Sequence, residues 1–324
     1  MSHPLVSVIV PNYNYARYLP ERMESVLGQT FRDFEVIILD DCSTDDSRQI
    51  IEEYRGNSKV KSITYNESNS GSPFRQWFKG IEEARGDFIW IAESDDSAKP
   101  DFIEKMVKGL QDYPSAVLAI SGTHVIDENG KRTTQTFDRW DKSDEQGEGF
   151  VKLYDGRKYL IHNLYWACYV YNASCVVFRR EAFFKDDYSR SLTMRNAGDW
   201  LFWSRLLCHG DILEVREKIS FLRRHSGSVT FAGNKSGNLL KEDAVVVKAI
   251  ESMVDVGRYR RMIRHGEMLK RIARMDIAED LRRQYRQEVK DTLGASEFEY
   301  IVERVNKLFS KYLPFLITSA KDLI

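Results

Sequence analysis

Long apolar runs, paired cysteines and an excess of charge of either sign are all missing from this chain, and each absence removes a class of protein. No uninterrupted apolar segment approaches the ~20 residues that a membrane-crossing helix needs, so the sequence predicts no span. The 4 cysteines, Cys42, Cys168, Cys175 and Cys208, form no Cys-x-x-Cys pair and no framework of short spacings. They read as free thiols of a reducing compartment. Lys plus Arg (48) nearly cancels Asp plus Glu (49), for a formal net charge of -1. No basic field of the kind nucleic acid demands is therefore present, and nucleic acid is not an expected partner. The start, Met1-Ser2-His3-Pro4 followed by Leu5 to Val10 and Pro11, is too short for a secretory core. The expectation is a cytoplasmic protein, at most peripheral to the inner face of a membrane. Gly-x-Gly-x-x-Gly is absent after the first apolar run, against an NAD enzyme, and His-Glu-x-x-His spacing is absent, against zinc.

What is present suits a globular protein. The 324 residues are 42% hydrophobic and 30% charged, enough to bury a large core and carry an appendage. Short β-rich runs alternate with helical patterns through the first half, the signature of βαβ units in an α/β sheet. Strands are predicted at Val6 to Val10, Glu35 to Leu39, Lys61 to Tyr65, Phe88 to Ala92 and Ala116 to Ser121. Helices are predicted from Pro20 to Leu27, after a cap at Ser43 with Asp46, from about Phe74 to Ala84, and from Pro100. From Asp127 to about Gly156 the pattern dissolves into polar loop sequence. Cys175 to Phe178 and Ile219 to Arg223 read as further strands, with a helix from Asp199 to Leu207 between them. Ala232 to Asn238 reads as a linker, and the chain beyond it is helical by periodicity.

Three strands finish in unusual polar chemistry. The first ends in Pro11-Asn12-Tyr13-Asn14, the second in Asp40-Asp41-Cys42-Ser43 and the fourth in Glu93-Ser94-Asp95-Asp96. Carboxyl ends of parallel strands line one crevice, where open α/β sheets hold phosphorylated ligands and their divalent cations. Adjacent acids at a strand end are common by themselves; three such ends in order are specific.

These motifs, with Ser25-Val26-Leu27-Gly28-Gln29-Thr30 and with Gly86-Asp87-Phe88-Ile89 leading to Asp95-Asp96 and Pro100, resemble the family-2 inverting glycosyltransferases of GT-A fold. The resemblance covers the first ~230 residues. It implies a Rossmann-like, mostly parallel sheet flanked by helices over residues 1–232, with a C-terminal helical region over 233–324. It implies a nucleotide-diphosphate sugar as donor, Mg2+ or Mn2+ as cofactor, and a hydroxyl of a glycan or lipid-linked acceptor, as in bacterial surface polysaccharide synthesis. Carried onto this chain, Asp41 holds the nucleobase, Tyr13 packs against it and Pro11 adds backbone contacts. Asp95 touches the ribose or donor sugar and Asp96 ligates the cation, with either of the pair able to be the direct ligand. Glu93 stands where many members have Asp, one methylene shorter. Arg75 is placed to reach the diphosphate, or else is a solvated helix residue. His225, in Arg223-Arg224-His225-Ser226-Gly227-Ser228, closes over the diphosphate.

Direct displacement at an anomeric carbon needs a base for the acceptor hydroxyl. Asp199, opening an apolar helix in Gly198-Asp199-Trp200-Leu201, is the candidate, its ionised form expected to be favoured by the helix N-terminus. The bland reading is a helix cap, and both can hold. Of the aromatics that crowd residues 140–171, most are expected to be packing; Trp166 among them and Trp200 further on are singled out as sugar platforms to test. A non-catalytic sugar- or nucleotide-binding protein on the same fold is one alternative. A sugar-nucleotide pyrophosphorylase is another, but its Gly-rich basic loop is absent. In the tail, Ile301, Val302, Val305, Leu308, Phe309, Tyr312 and Leu313 recur at helical spacing beside many bases. That pattern fits a cap on the catalytic domain, a homodimer contact, or an anionic membrane surface.

Overall fold

The computed structural model describes residues 3–140, 145–225 and 238–312. Among these, nine strands form one mixed sheet: β1 (Val6–Asn12), β2 (Phe34–Asp40), β3 (Val60–Tyr65), β4 (Phe88–Ile91), β5 (Ser97–Ala98), β6 (Ala116–Ile126), β7 (Val151–Tyr154), β8 (Val176–Arg179) and β9 (Asp211–Arg223). The helices are α1 (Leu19–Leu27), α2 (Ser47–Glu52), α3 (Pro73–Glu83), α4 (Phe102–Asp112), the single turns α5 (Gly156–Tyr159), α6 (Arg180–Phe183) and α7 (Ser189–Leu192), then α8 (Gly198–Leu206). Four more follow: α9 (Asn238–Met253), α10 (Arg258–Ala273), α11 (Glu279–Leu293) and α12 (Glu297–Tyr312). No described helix is long and apolar enough to cross a membrane.

The sheet runs β3-β2-β1-β4-β8-β6-β9-β5, with β7 on β9. β1 pairs parallel with both β2 and β4, and β2 with β3. Every residue of β1, β2 and β4 is buried, as unbroken apolar strands require when helices cover both faces. The chain winds from β1 to β2 and β3, then crosses back to β4 on the other side of β1. That reversal is the switch point at which such sheets bind ligands. Past β4 the sheet turns mixed: β8 is antiparallel to β4 and β6, while β6 and β9 run parallel.

Several sequence expectations shift for local reasons. β9 begins at Asp211, eight residues before the predicted start, since it follows β6 with register shifts around Gly122. A short strand, β7, lies inside the stretch read as loop, paired antiparallel with β9. α2 begins at Ser47, and the carboxylate of Asp45 accepts from Ser47 N at 3.0 Å. Ser43 is held back at the end of β2 by Asp40, so it does not cap that helix. The predicted linker lies outside the described residues save Asn238, where α9 begins.

The chain divides into two compact units. The first comprises residues 1–156, 170–195 and 205–226; the second comprises 157–169, 196–204 and 227–324. Reading the sequence in order suggests a single cut near residue 232. The structure instead draws two inner segments into the helical unit, where the Trp200 indole donates to Leu164 O at 2.8 Å and Arg264 lies 6.0 Å from the Trp200 ring.

Gly86, in the turn before β4, is pressed against β1. A Cβ there would sit 2.5 Å from Ser7 N and 2.6 Å from Val6 C, backbone that cannot yield. Gly86→Ala is expected to destabilise the fold by roughly 2 kcal/mol in urea titration. Gly56→Ala, in open space, should leave the midpoint unchanged.

Candidate active site

The switch point carries the chemistry. At the ends of β1 and β2, Asn12 Nδ2 donates to Asp40 Oδ1 at 2.8 Å and Asp40 Oδ2 accepts from Ser43 N at 2.9 Å. Asn14 N donates to Ser43 Oγ, and Thr44 N to Asn14 Oδ1. This lattice holds Asn14 at φ 58° and Cys42 at φ 63°, the left-handed region that side chains other than Gly seldom adopt. Two such residues on adjacent strand ends are the kind of stored strain that gathers at binding sites.

Asp41 is buried and its carboxylate organises the loop after β3. Oδ1 accepts from Asn66 Nδ2 (2.6 Å), Gln76 Nε2 (2.8 Å) and Ser70 N (3.0 Å), while Oδ2 accepts from Ser70 Oγ (2.8 Å). Tyr13, next along from Asn12, is 44% exposed, and Arg75 is exposed on the first turn of α3. The carbonyl of Pro11 accepts from Ser94 Oγ at 2.8 Å, tying the ends of β1 and β4 together.

Beyond β4 the acids are crowded. Asp96 is buried, with Oδ1 accepting from Arg223 N (2.9 Å) and Oδ2 from Asn172 Nδ2 (3.0 Å). Asp95 is half-buried; its Oδ2 meets His225 Nε2 at 3.0 Å, and no donor among the described residues reaches Oδ1. Glu93 accepts from the Trp77 indole at 2.7 Å. Burial, then the neighbouring Asp95, pushes the Glu93 carboxyl up to about 8 and that of Asp96 up to about 6. Three clustered carboxyls resist simultaneous ionisation unless a cation joins them.

One cation is already built in. Arg22 is wholly buried, with Nε donating to Glu93 O (2.8 Å), Nη2 to Ser174 Oγ (3.1 Å) and its guanidinium 5.4 Å from the Trp90 ring. Burial lowers its pKa to about 10, against the pull of Asp96 and Asp95, so it stays charged at neutral pH. Arg223 closes the opposite side, its Nε donating to Asp95 O at 2.8 Å and its Nη2 paired with Glu21. His225 sits among the rings of Tyr15 and Tyr18, 5.6 and 5.4 Å away. Ser226, Gly227 and Ser228 of that segment lie outside the described residues.

Among the described residues no three His, Cys, Asp or Glu side chains are grouped to hold a metal ion. A divalent cation that takes one or two carboxylates and completes its shell with substrate phosphates and water needs no such cage. The unfilled Oδ1 of Asp95 beside the His225 imidazole fits that mode.

Asp199 belongs to the second unit. It opens α8, half-buried, with its own Oδ1 accepting from Trp200 N at 2.7 Å. Burial pushes its carboxyl up to about 7 against that hydrogen bond, and Asp243 and Glu242 add to the rise. The helix N-terminus was expected to favour the charge; loss of water outweighs it. Trp166 and Trp200 are buried, 6% and 4% exposed, so they pack the interior and offer no face to a sugar.

Sequence reasoning passed over Arg22, Asn172, Ser70 and Gln76. Arg22 carried a signal: it falls on the buried stripe Leu19-Met23-Val26 of α1, where a charge stands only if something pairs with it.

A model of the family described as Glycosyl transferase family 2 matches residues 7–185. A Bacillus subtilis (strain 168) protein named as a teichuronic acid biosynthesis glycosyltransferase, TuaG, is 35% identical over 127 residues, 39% of this chain and 50% of that protein. The poly(ribitol-phosphate) beta-N-acetylglucosaminyltransferase TarS of Staphylococcus aureus (strain Mu50 / ATCC 700699) is 35% identical over 132 residues, 40% of this chain. The chain thus spans half the length of the first relative and 22% of the second. The crystal structure of S. aureus TarS 1-349 with UDP matches at TM-score 0.65 and 18% identity, covering 89% of this chain and 79% of that one. The complex with UDP-GlcNAc matches at TM-score 0.59 and 19% identity, covering 95% and 76%. At such identity the likeness carries the fold.

The Asp199 shift has a consequence for stability. A carboxyl whose folded pKa of about 7 exceeds its ordinary 3.8 binds its proton more tightly in the native state. Its contribution is full below about pH 4 and is lost as pH rises through about 7. Asp199→Asn is therefore expected to raise stability over the native chain by roughly 4 kcal/mol at pH 8 and by only roughly 1 to 2 kcal/mol at pH 5. Paired urea titrations at the two pH values check this.

Proposed function

The chain belongs to glycosyl transferase family 2, and on that footing we propose that it moves a sugar, with inversion, from a uridine diphosphate sugar to a hydroxyl of a glycan or lipid-linked acceptor. The product would be part of a bacterial surface polysaccharide. The observation that carries the reading is the convergence of Pro11, Asp41, Asp95, Asp96 and His225 at the switch point of a sheet whose fold is that of a UDP-bound transferase.

In this reading the exposed ring of Tyr13 stacks on the base. Asp41 fixes the loop beneath it through its bonds from Ser70, Asn66 and Gln76. Asp95 would hold Mg2+ or Mn2+ directly, since no described donor reaches its Oδ1 whereas each oxygen of Asp96 already accepts a hydrogen bond, from Arg223 N and Asn172. The resemblance leaves either of the pair as the ligand, and this reading gives the role to Asp95. When bound, the cation offsets charge on the departing diphosphate. His225 donates to a phosphate oxygen, and Arg75 is the exposed cation free to approach the same group.

Asp199 acts as the base. The acceptor O–H proton passes to its carboxylate as the oxygen bonds to the anomeric carbon. The bond from that carbon to the β-phosphate oxygen breaks on the opposite face, and UDP leaves. A carboxyl with a pKa near 7 is half ionised at neutral pH and accepts a proton far more readily than an ordinary aspartate.

Two measurements test this. UDP with Mn2+ at 100 times its dissociation constant is expected to stabilise the chain by about 2.7 kcal/mol; if no nucleoside diphosphate shifts the melt, the reading fails. Asp199→Asn is expected to cut transfer by about 10²-fold or more with UDP binding retained, and the native pH–rate profile should rise with an apparent pKa near 7. Equal loss of transfer and UDP binding would assign Asp199 a structural role.

A further inference from the structure

Helix α12 is amphipathic in the inverted sense. Its one buried residue is a glutamate, Glu303, 3% exposed and paired with Lys270 of α10 at 2.5 Å. The rest of that face is also polar. His265 Nδ1 meets Glu299 at 3.4 Å, Tyr259 donates to Asn306, and Arg286 of α11 binds Glu297. Gly266 allows the close crossing, since a Cβ there would stand 2.4 Å from Glu299 O.

The apolar side chains point the other way. Phe298, Ile301, Val305, Leu308, Phe309 and Tyr312 are each 41 to 64% exposed. A helix normally buries such a stripe and wets its charges. Holding it outward through buried ion pairs needs a compensating partner.

We propose that this face lies on an anionic lipid surface. Two features favour lipid over a second copy of the chain. The stripe is wide: with Val302 it spans about 120° at 100° per residue, since Val302 and Phe309 widen the seam at positions where a two-stranded coil places charge. The free charge is also of one sign. Glu297, Glu299 and Glu303 are already paired within the unit, whereas Arg304 and Lys311 are exposed along one flank of the stripe and form no ion pair with an acid among the described residues. A second copy would bring these bases no partner. Acidic headgroups would, with the aromatic and aliphatic tips entering the acyl boundary.

The test is sedimentation of the full chain with vesicles of phosphatidylcholine alone and with 30% phosphatidylglycerol, with light scattering for mass. Binding is expected only to the anionic vesicles, weakened by salt. Replacing Arg304 and Lys311 together by Gln should lower partition on the order of thirtyfold. Leu308→Glu with Phe309→Glu should abolish it, and the unchanged melting point of both variants would report an intact fold. Absence of binding to anionic vesicles overturns the proposal. So does undiminished binding by the Glu double variant, or a dimer that this variant converts to monomer while vesicle binding is nil.

Discussion

A single buried guanidinium is the constraint on which the strand-end site rests. Arg22 reaches from α1 to the carbonyl of Glu93 and to Ser174, joining the helix after β1, the end of β4 and the approach to β8. Its charge stands under Glu93, Asp95 and Asp96. An uncompensated buried charge costs several kcal/mol, and so does a cluster of like charges; placed together, each lowers the cost of the other. One fixed cation balances only part of the acid charge. The remainder is what a divalent ion and a diphosphate would meet.

The acids at the strand ends are thoroughly tethered. Asp40 and Asp41 hold loops, and Asp96 is bound by a backbone amide and an asparagine. Such carboxylates position the crevice walls, leaving Asp95 and His225 as the adaptable pair. Preorganisation of this kind limits the rearrangement that a reaction must drive. Asp199, in the other unit, follows a different logic: its raised pKa comes from lost water and neighbouring acids.

Much of this was legible in the sequence. The unbroken apolar runs at Val6, Phe34 and Phe88 could only be doubly covered strands, and the acids after them fell where such strands end. The polar partners of those acids were not legible. Asn172 and Arg223 reach Asp96 across 76 and 127 residues, and no local pattern encodes such a meeting. Asp199 misled in one respect, because the dipole of a helix end is visible in sequence while desolvation is a tertiary property. Trp166 and Trp200 misled likewise: aromatic content is legible, burial is not. The tail's periodicity was plain, but which side of α12 faced inward depended on Lys270 and His265 supplying partners for its glutamates.

Amide hydrogen exchange with and without UDP and Mn2+ reports directly on whether the nucleotide occupies the strand-end site. Protection is expected at the ends of β1, β2 and β4, in residues 66–72 and around 223–225. Protection confined to other segments, with these strand ends exchanging at unchanged rates, would contradict it.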